Sequence, residues 1–390
     1  MKVAIAHDYL TQRGGAERVV LAMHRAFPDA PIYTTLYDPD GTYPEFADAD
    51  IRTSWLNRIP AFRRDHRRAL PLLPPAADSL RIDADVVVVS SSGWAHGFPT
   101  NGRRLVYCHS PARWVYLSEQ YLGAPPSSSP VGLALLGLRP ALRLWDQTRA
   151  RRADKSGVYL ANSTVVRERI RECYGIGATI VAPPHDQDPD LPADEVPELA
   201  DWASGFYLVV SRLLPYKNVA QAIEAFRTLP GERLVIVGRG PDKERLEASK
   251  PANVRLVEGL SDAELRWVYA HCAALIAPSY EDFGLTPLEA GAHGKPVLAL
   301  RGGGFLDTVA PGVNGSFFEA PHPEAIAAAV RAQQVESWDA DAIRGHASHF
   351  NESAFAARLH AEVAALTERT PHGSAAGRSK ARRTPRKGRQ

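Results

Sequence analysis

The sequence contains few cysteines, no long apolar run and little net charge. The most apolar stretch, residues 131–145, is interrupted by two arginines and is shorter than the roughly 20 apolar residues that span a membrane. The apolar stretch at the amino terminus is too short for the core of a signal peptide. Three cysteines without CxxC spacing predict neither a disulfide framework nor a zinc site, so a reducing cytoplasm is the expected compartment. These cysteines are Cys108, Cys173 and Cys272.

The net charge of +2 conceals an uneven distribution of basic residues. Seven lysines and arginines lie within residues 377–390, and without them the chain would be net acidic. We expect residues 370–390 to form a disordered basic tail. Its charge would let such a tail bind anionic lipid or nucleic acid non-specifically, and a tail without any partner is the other alternative. No specific nucleic-acid interface is predicted.

A second basic stretch occupies residues 55–80. It combines Trp55, Phe62 and several leucines with five arginines, which are Arg58, Arg63, Arg64, Arg67 and Arg68. Basic side chains beside aromatic ones are typical of a segment that docks on an anionic membrane face or on the diphosphate of a lipid. An exposed basic helix flanked by prolines explains the same pattern, so both interpretations stay open.

What the sequence does contain is a regular alternation of short aliphatic runs and helical segments. A length of 390 residues, with 45% hydrophobic and 23% charged residues, fits two globular domains. Alternation of this kind predicts an α/β protein with two Rossmann-like domains, each a doubly wound parallel sheet covered by helices. The strand candidates are residues 2–10, 32–36, 86–90, 104–108 and 158–161 in the first half, and 206–213, 233–238, 254–259, 273–279 and 296–300 in the second.

Composition also predicts the limits of the two domains. Residues 182–203 contain five prolines and several acidic residues, which is typical of a linker. We therefore predict an N-terminal domain over residues 1–182, a linker over 183–205 and a C-terminal domain over 206–350. Residues 351–369 have a helical apolar pattern, and we expect this helix to pack back on the N-terminal domain.

Ligands of open parallel sheets bind beyond the carboxyl ends of the strands, so the loops at those ends are the first candidates for a site. Gly14 and Gly15 follow the first strand, where they let the backbone approach a ligand and where the next helix offers free N–H groups. Ordinary turns also contain glycine pairs. The complete GxGxxG pattern with a later acidic residue is absent, which argues against NAD binding.

Two cations follow a strand of the second domain. Arg212 and Lys217 could bind a diphosphate, because arginine supplies a bidentate fork and lysine a mobile point charge. Solvated surface cations are the commoner explanation for such residues. Because the two cations follow a strand end, we favour the interpretation that they bind a ligand.

The segment EDFGLTPLE, residues 281–289, is the most informative in the chain. It follows a strand and runs into a predicted helix start at Thr286 and Pro287. Glu281 could accept hydrogen bonds from sugar hydroxyls, and Glu289 from a ribose diol. The helix start leaves three backbone amides free for ligand oxygens, those of Phe283, Gly284 and Leu285.

Taken together, these residues resemble the donor site of the retaining family 4 glycosyltransferases of GT-B fold, over nearly the whole ordered chain. Arg212 and Lys217 match the family's cations, and Glu281 and Glu289 match its E-x7-E signature, which contacts the donor hexose and the nucleoside ribose. Residues 302–304 resemble the family's glycine loop near the donor.

In the first half, Gly14 and Gly15 resemble the family's glycine loop near the donor phosphates. The resemblance places His109, just after a strand, beside the transferred sugar. His109, Arg212, Lys217 and Glu281 are therefore the expected catalytic residues.

The resemblance implies transfer of a hexose from a nucleotide-diphosphate sugar to a glycan or lipid-linked acceptor, with retention. The match through residues 53–76, 86–97 and 107–116 is nearest to bacterial polysaccharide mannosyltransferases, which favours GDP-mannose. UDP-sugars stay open, as do a nucleotide-sugar epimerase of the same fold and a binding protein without catalysis. The resemblance also makes residues 1–182 the acceptor-side domain and residues 206–350 the nucleotide-sugar-binding domain. The expected localisation is the cytoplasm, and the basic stretch of residues 55–80 leaves open a peripheral contact with the inner face of the plasma membrane.

No cofactor or metal is expected beyond the nucleotide-sugar co-substrate. Four DxD strings occur, a pattern that holds a divalent metal in other glycosyltransferases, but here they reflect an Asp-rich composition and the cations make a metal redundant. They begin at Asp38, Asp48, Asp83 and Asp188.

Overall fold

The computed structural model describes residues 1–117, 130–203 and 205–368, without the side chains of residue 67 and residues 130–135. Within these ranges the strands form two sheets. The first sheet contains β1 (Val3–His7), β2 (Ile32–Thr34), β3 (Ile51–Thr53), β4 (Val86–Ser91), β5 (Arg103–Cys108), β6 (Gly157–Ala161) and β7 (Ala178–Ile180). The second contains β8 (Phe206–Val210), β9 (Leu234–Val237), β10 (Val254–Val257), β11 (Cys272–Ala277), β12 (Val297–Leu300) and β13 (Gly315–Phe318).

Both sheets are parallel and doubly wound. The strand order is β3-β2-β1-β4-β5-β6-β7 in the first and β10-β9-β8-β11-β12-β13 in the second. Each order reverses direction once, between β1 and β4 and between β8 and β11. These two switch points are where open parallel sheets bind their ligands. The sequence-based prediction of two doubly wound α/β domains is confirmed.

Helices connect the strands. In the first half they are α1 (Gly15–Ala26), α2 (Pro60–Arg64), α3 (Leu73–Ser79), α4 (Arg113–Tyr116), α5 (Pro130–Lys155) and α6 (Thr164–Tyr174). In the second they are α7 (Val219–Arg227), α8 (Lys243–Ser249), α9 (Asp262–His271), α10 (Thr286–Ala292), α11 (Phe305–Thr308), α12 (Pro323–Gln333), α13 (Ala340–Ser348) and α14 (Glu352–Glu368).

Side chains of the central strands alternate between two apolar layers. Val87 and Val89 of β4 point into one cluster, while Val86 and Val88 point into the other. All six residues of β4 are buried, because helices cover both faces of the sheet. The continuous run of valines in the sequence is the direct consequence of this two-sided burial.

Within its described residues, the chain crosses between the domains twice. After β7 it passes through the proline-rich segment, whose 3-10 turn Pro197–Trp202 buries Leu199 and Trp202 in the core beneath the second sheet. The second crossing leads to α14, which packs its buried face against the first domain. There Phe355 lies 5.6 Å from Tyr107 between ring centroids, in an edge-to-face contact.

The basic stretch of residues 55–80 forms several short turns rather than one helix, because its prolines interrupt the backbone. These turns are Trp55–Arg58, α2, His66–Leu72 and α3. Trp55 is 43% exposed and Ile59 is 38% exposed. The basic tail lies outside the described residues. Across the parts of the chain that are described, no helix is both long and apolar enough to cross a membrane.

Candidate active site

The predicted site residues lie in loops at the carboxyl ends of strands, most of them at the two switch points. Gly14 and Gly15 follow β1, and His109 follows β5 directly. Arg212 and Lys217 follow β8, and residues 281–289 follow β11. The loops of the two domains face each other, since a Cβ built on Gly15 would lie 3.9 Å from Leu285 Cδ1.

Lys217 and Glu281 form an ion pair at the β8–β11 switch point. The Lys217 ammonium contacts Glu281 Oε1, and the Ser279 hydroxyl donates to the same oxygen at 2.5 Å. The Lys217 side chain is only 9% exposed and that of Glu281 is 24% exposed. Removing two such charges from water is costly, so the pair is more than a surface contact. Two residues that the sequence assigned to separate roles are therefore in direct contact.

The backbone around Lys217 is fixed by Asn218. Asn218 has a φ of 56°, in the left-handed region that asparagine tolerates better than most residues. Its side-chain amide donates to the Pro278 carbonyl at 2.9 Å. This hydrogen bond joins the loop after β8 to the loop after β11, and so it holds the lysine beside the glutamate.

Tyr216 lies between the two predicted cations. The exposed Arg212 donates from Nη2 to the Tyr216 hydroxyl at 3.3 Å, and the Lys217 Nζ lies 5.1 Å from the centre of the Tyr216 ring. Tyr216 was not among the predicted site residues. The available signal was its position directly before the lysine in a strand-end loop.

The segment 281–289 turns into a helix where the sequence predicted it. Helix α10 begins at Thr286, with Pro287 in its first turn, which confirms the predicted start. Gly284 has a φ of 85°, and a Cβ there would lie 2.3 Å from Phe305 Cε1, so the position requires glycine. Among the described residues, no group accepts a hydrogen bond from the amides of Phe283, Gly284 and Leu285.

Glu289 is held separately from the Lys217–Glu281 pair. Its Oε2 accepts a hydrogen bond from the Tyr269 hydroxyl at 2.5 Å. Burial, with a further contribution from the Glu289 charge, raises the pKa of Tyr269 well above its ordinary value, so this hydroxyl stays protonated and donates. Glu281 and Glu289, the two acidic residues of the E-x7-E pattern, therefore lie in separate parts of the site.

The glycine loop of residues 302–304 packs on the backbone of Glu281. The Gly304 amide donates to the Glu281 carbonyl at 2.8 Å. Gly303 has a φ of 61°, and a Cβ there would lie 2.3 Å from the same carbonyl oxygen. These two contacts therefore hold the backbone of Glu281 in place.

His109 is a buried, uncharged histidine at the end of β5. It is 9% exposed, and its Nε2 lies 2.8 Å from the Ser90 hydroxyl. Burial, followed by the charges of His7 and Arg113, lowers the pKa of His109 to about 3. At neutral pH the ring is therefore a neutral donor and acceptor rather than a cation.

Asp282 connects the two domains. It was not among the predicted site residues. Its Oδ1 accepts from Arg169 Nη1 at 2.9 Å, and its Oδ2 pairs with Arg113. A second connection joins Asp307 to the Thr164 hydroxyl at 2.7 Å. The available signals were the Asp282 position inside the EDFG segment and the Arg113 position four residues after His109.

Two aspartates of the DxD strings form ion pairs with basic side chains. Asp83 pairs with Lys2 at 2.8 Å, and Asp50 pairs with Arg52 at 2.7 Å. Considering only the described parts of the chain, no three His, Cys, Asp or Glu side chains are grouped to hold a metal ion.

The comparison with known protein families gives a match in the second half of the chain. Residues 198–334 match the family described as Glycosyl transferases group 1. A 125-residue segment is 37% identical to the glycogen synthase of Thermus thermophilus and covers 30% of this chain and 29% of that protein. A 57-residue segment is 44% identical to the alpha-1,3/1,6-mannosyltransferase ALG2 of Dictyostelium discoideum and covers 14% of each. The matches thus span less than a third of the length of these relatives.

Comparison with solved structures covers both domains. The crystal structure of Anabaena Alr3699/HepE in complex with UDP superposes with a TM-score of 0.66 over 94% of this chain and 100% of that chain, at 16% identity. At this identity the likeness shows the fold alone. Two parallel-sheet domains that face each other across a cleft are the GT-B fold, as the sequence predicted.

Proposed function

We propose that this chain is a retaining hexosyltransferase that moves mannose from GDP-mannose to a glycan or lipid-linked acceptor. The buried ion pair of Lys217 and Glu281 carries the proposal. A lysine with a 9% exposed side chain at the switch point of a parallel sheet supports an anion-binding role for this loop, because such sheets bind ligands there. The group 1 match over residues 198–334 supports a nucleotide sugar as that ligand.

The proposed binding mode divides the donor among the named residues. Lys217, with Arg212 at the rim, would bind the diphosphate, and Glu281 would then exchange its contact with the lysine for the hexose hydroxyls. Glu289 would bind the ribose diol through Oε1, since its Oε2 accepts from Tyr269. Gly14 and Gly15 face this loop from the first domain, close to where the phosphates would lie.

The proposed reaction needs no protein nucleophile. The acceptor hydroxyl would attack the anomeric carbon on the face from which the diphosphate leaves, and a donor phosphate oxygen would take its proton. Lys217 and Arg212 would stabilise the negative charge that grows on the leaving diphosphate, and closure of the domains would exclude water. His109 would lie beside the transferred sugar.

Three of the comparisons bear on the identity of the donor. The match to a mannosyltransferase favours GDP-mannose, although it covers only 57 residues. A UDP-sugar is the second candidate, because a structure with the same two-domain fold binds UDP. A glucosyl donor fits the similarity to glycogen synthase.

We place the reaction in the cytoplasm, with contact to an anionic membrane through residues 55–80. Trp55 and Ile59 are exposed beside the arginines of that segment, which supports the contact. Co-sedimentation of the whole protein with anionic vesicles tests it, and failure to sediment would exclude the contact.

The test of the function is transfer by Lys217→Ala. Radiolabelled GDP-mannose is incubated with an extract that supplies acceptors, and the label is followed into the lipid and polysaccharide fractions. We expect Lys217→Ala to lower transfer by about a hundredfold or more, because it removes the charge that stabilises the leaving group. Near-normal transfer by this variant would refute the assignment.

Lys2→Ala is the matched control. Lys2 pairs with Asp83 at 2.8 Å, but it is exposed and directly precedes β1, at the edge of the first sheet opposite to the strand ends that form the site. Its loss should leave transfer unchanged, because exposed ion pairs contribute little to stability. Unfolding temperatures well above the assay temperature in both variants would show that the folds are intact.

A further inference from the structure

A row of buried polar side chains joins the glycine loop of the first domain to His109. Glu17 lies in the first turn of α1, His7 ends β1 and Ser90 lies on β4. Glu17 and His7 are each 1% exposed and Ser90 is 0% exposed. Buried polar groups are costly unless each has a partner, so the directions of their hydrogen bonds are constrained.

The surroundings of both His7 ring nitrogens favour the protonated ring. Nδ1 lies 3.1 Å from the Ser90 carbonyl oxygen, which can only accept, so Nδ1 carries a proton. Nε2 has no hydrogen-bond partner among the described residues, but it lies 4.0 Å from Glu17 Oε1, and the charge of this carboxylate favours a proton on Nε2 as well. Burial lowers the pKa of His7, but contact with Glu17 and the charges of Glu17 and Asp8 raise it by more, which agrees with this assignment.

Asp8 does not compete for His7 through hydrogen bonds. Its two oxygens accept from the backbone amides of Ser92, Trp94 and Ala95, at 2.5 to 2.7 Å. Glu17 is therefore the carboxylate that His7 faces. Gly14 makes room for it, because a Cβ there would lie 2.6 Å from Glu17 Oε2.

The charged state of His7 determines what Ser90 can do. The Ser90 hydroxyl lies 3.0 Å from His7 Nδ1 and 2.8 Å from His109 Nε2. Since His7 Nδ1 carries a proton, the hydroxyl oxygen can only accept from it, and the hydroxyl proton is directed to His109. His109 Nε2 is then the acceptor, which leaves the ring proton on Nδ1.

We propose that Glu17, His7 and Ser90 are positioning residues that fix the ring proton of His109 on Nδ1. Within the described chain Nδ1 has no protein partner, and it is not among the fully buried atoms without one. The ring thereby presents a fixed N–H donor to the cleft, where a sugar hydroxyl of the donor would accept it. The proposal rests on the glycosyltransferase function, because it assigns a purpose to His109 in that reaction.

The direct test is the tautomer of His109, measured from the ring-nitrogen NMR signals of the whole protein with labelled histidine. Signals are assigned from the spectra of His7→Gln and His109→Gln. At neutral pH we expect protons on both nitrogens of His7 and on Nδ1 alone in His109. A proton on Nε2 of His109 in the wild-type protein would overturn the proposal.

Ser90→Ala breaks the row at its centre. We expect the His109 proton to distribute over both nitrogens, and kcat for transfer to fall about tenfold with the donor KM within about twofold. Ser91→Ala, the next residue on β4, has no side-chain hydrogen bond to either imidazole and should change neither quantity. An unchanged tautomer and kcat in Ser90→Ala would also overturn the proposal.

The two readouts separate this inference from the function on which it rests. If the wild-type protein transfers no sugar, the proposed function fails, and the NMR measurement still decides how the His109 proton is placed. If transfer occurs and the tautomer is wrong, only the positioning role fails.

Discussion

The charge state of His109 depends on its burial, and it couples the site to the stability of the fold. With a pKa of about 3, the folded protein leaves this ring neutral over most of the acidic range. In the unfolded chain a histidine binds a proton below a pH of about 6.5. Between these values the unfolded state binds more protons than the folded state, so stability falls as the pH falls.

We therefore predict that His109→Gln has a flatter acid stability profile than the wild-type protein. The wild-type free energy of unfolding should decline by up to about 1.4 kcal/mol per pH unit more steeply than that of the variant between pH 6 and pH 4. Thermal unfolding at a series of pH values measures the difference. Parallel profiles would show that His109 is not buried in its neutral form.

At the scale of secondary structure elements, the loops after β11 and β12 lock together through glycine. Gly303→Ala would place a methyl group 2.3 Å from the Glu281 carbonyl oxygen, at a φ of 61°. We expect it to destabilise the protein by about 1–3 kcal/mol and to lower transfer through displacement of Glu281. Thermal unfolding and the transfer assay measure the two effects.

Gly312→Ala is the control for the backbone cost alone. Gly312 has a similar φ of 78°, but a Cβ there meets no atom within 4 Å. It should lose stability through conformational strain and should leave transfer nearly unchanged. Equal losses of transfer in both variants would contradict the role of the 302–304 loop.

The elements that the sequence predicted best are the central strands. A buried strand needs apolar residues on both faces, so its run of valines or leucines is visible in the sequence, as in β4 and β8. The strands that were missed are β3, β7 and β13. The first two are three residues long and none of their residues is fully buried, and β13 is only partly buried, so hydrophobicity alone could not reveal them.

At the scale of the whole molecule, Asp282 connects the domains through two arginines. Asp282→Asn removes the charge that both guanidinium groups share, at a cost of about 1.5–3 kcal/mol for hydrogen bonds of this kind. We expect about a tenfold or greater fall in transfer and a larger radius of gyration, because the closed arrangement is less favoured. Small-angle X-ray scattering measures the radius.

Asp201→Asn provides the comparison. Asp201 accepts two hydrogen bonds from Arg255, at 2.6 and 2.9 Å, within the second domain. Its loss should change neither transfer nor the radius of gyration. If Asp282→Asn behaves like Asp201→Asn, the contact between the domains does not control closure.

The sequence could reveal which loops carry the site, but not which residues meet across it. Arg212, Lys217, Glu281 and Glu289 follow strands, and the order of strands in a parallel sheet brings such loops to one edge. The contacts of Asp282 with Arg113 and Arg169 join residues more than 100 positions apart. No local pattern in the chain encodes such a pairing.

Thermal unfolding with GDP, UDP or ADP tests whether the Lys217–Glu281 pair belongs to a nucleotide-sugar site. A ligand that binds the folded state alone raises the unfolding temperature with its concentration. We predict that GDP stabilises the wild-type protein and that Lys217→Ala abolishes the effect. If none of the three nucleotides shifts the wild-type unfolding temperature, or if the shift persists in Lys217→Ala, the pair does not belong to such a site.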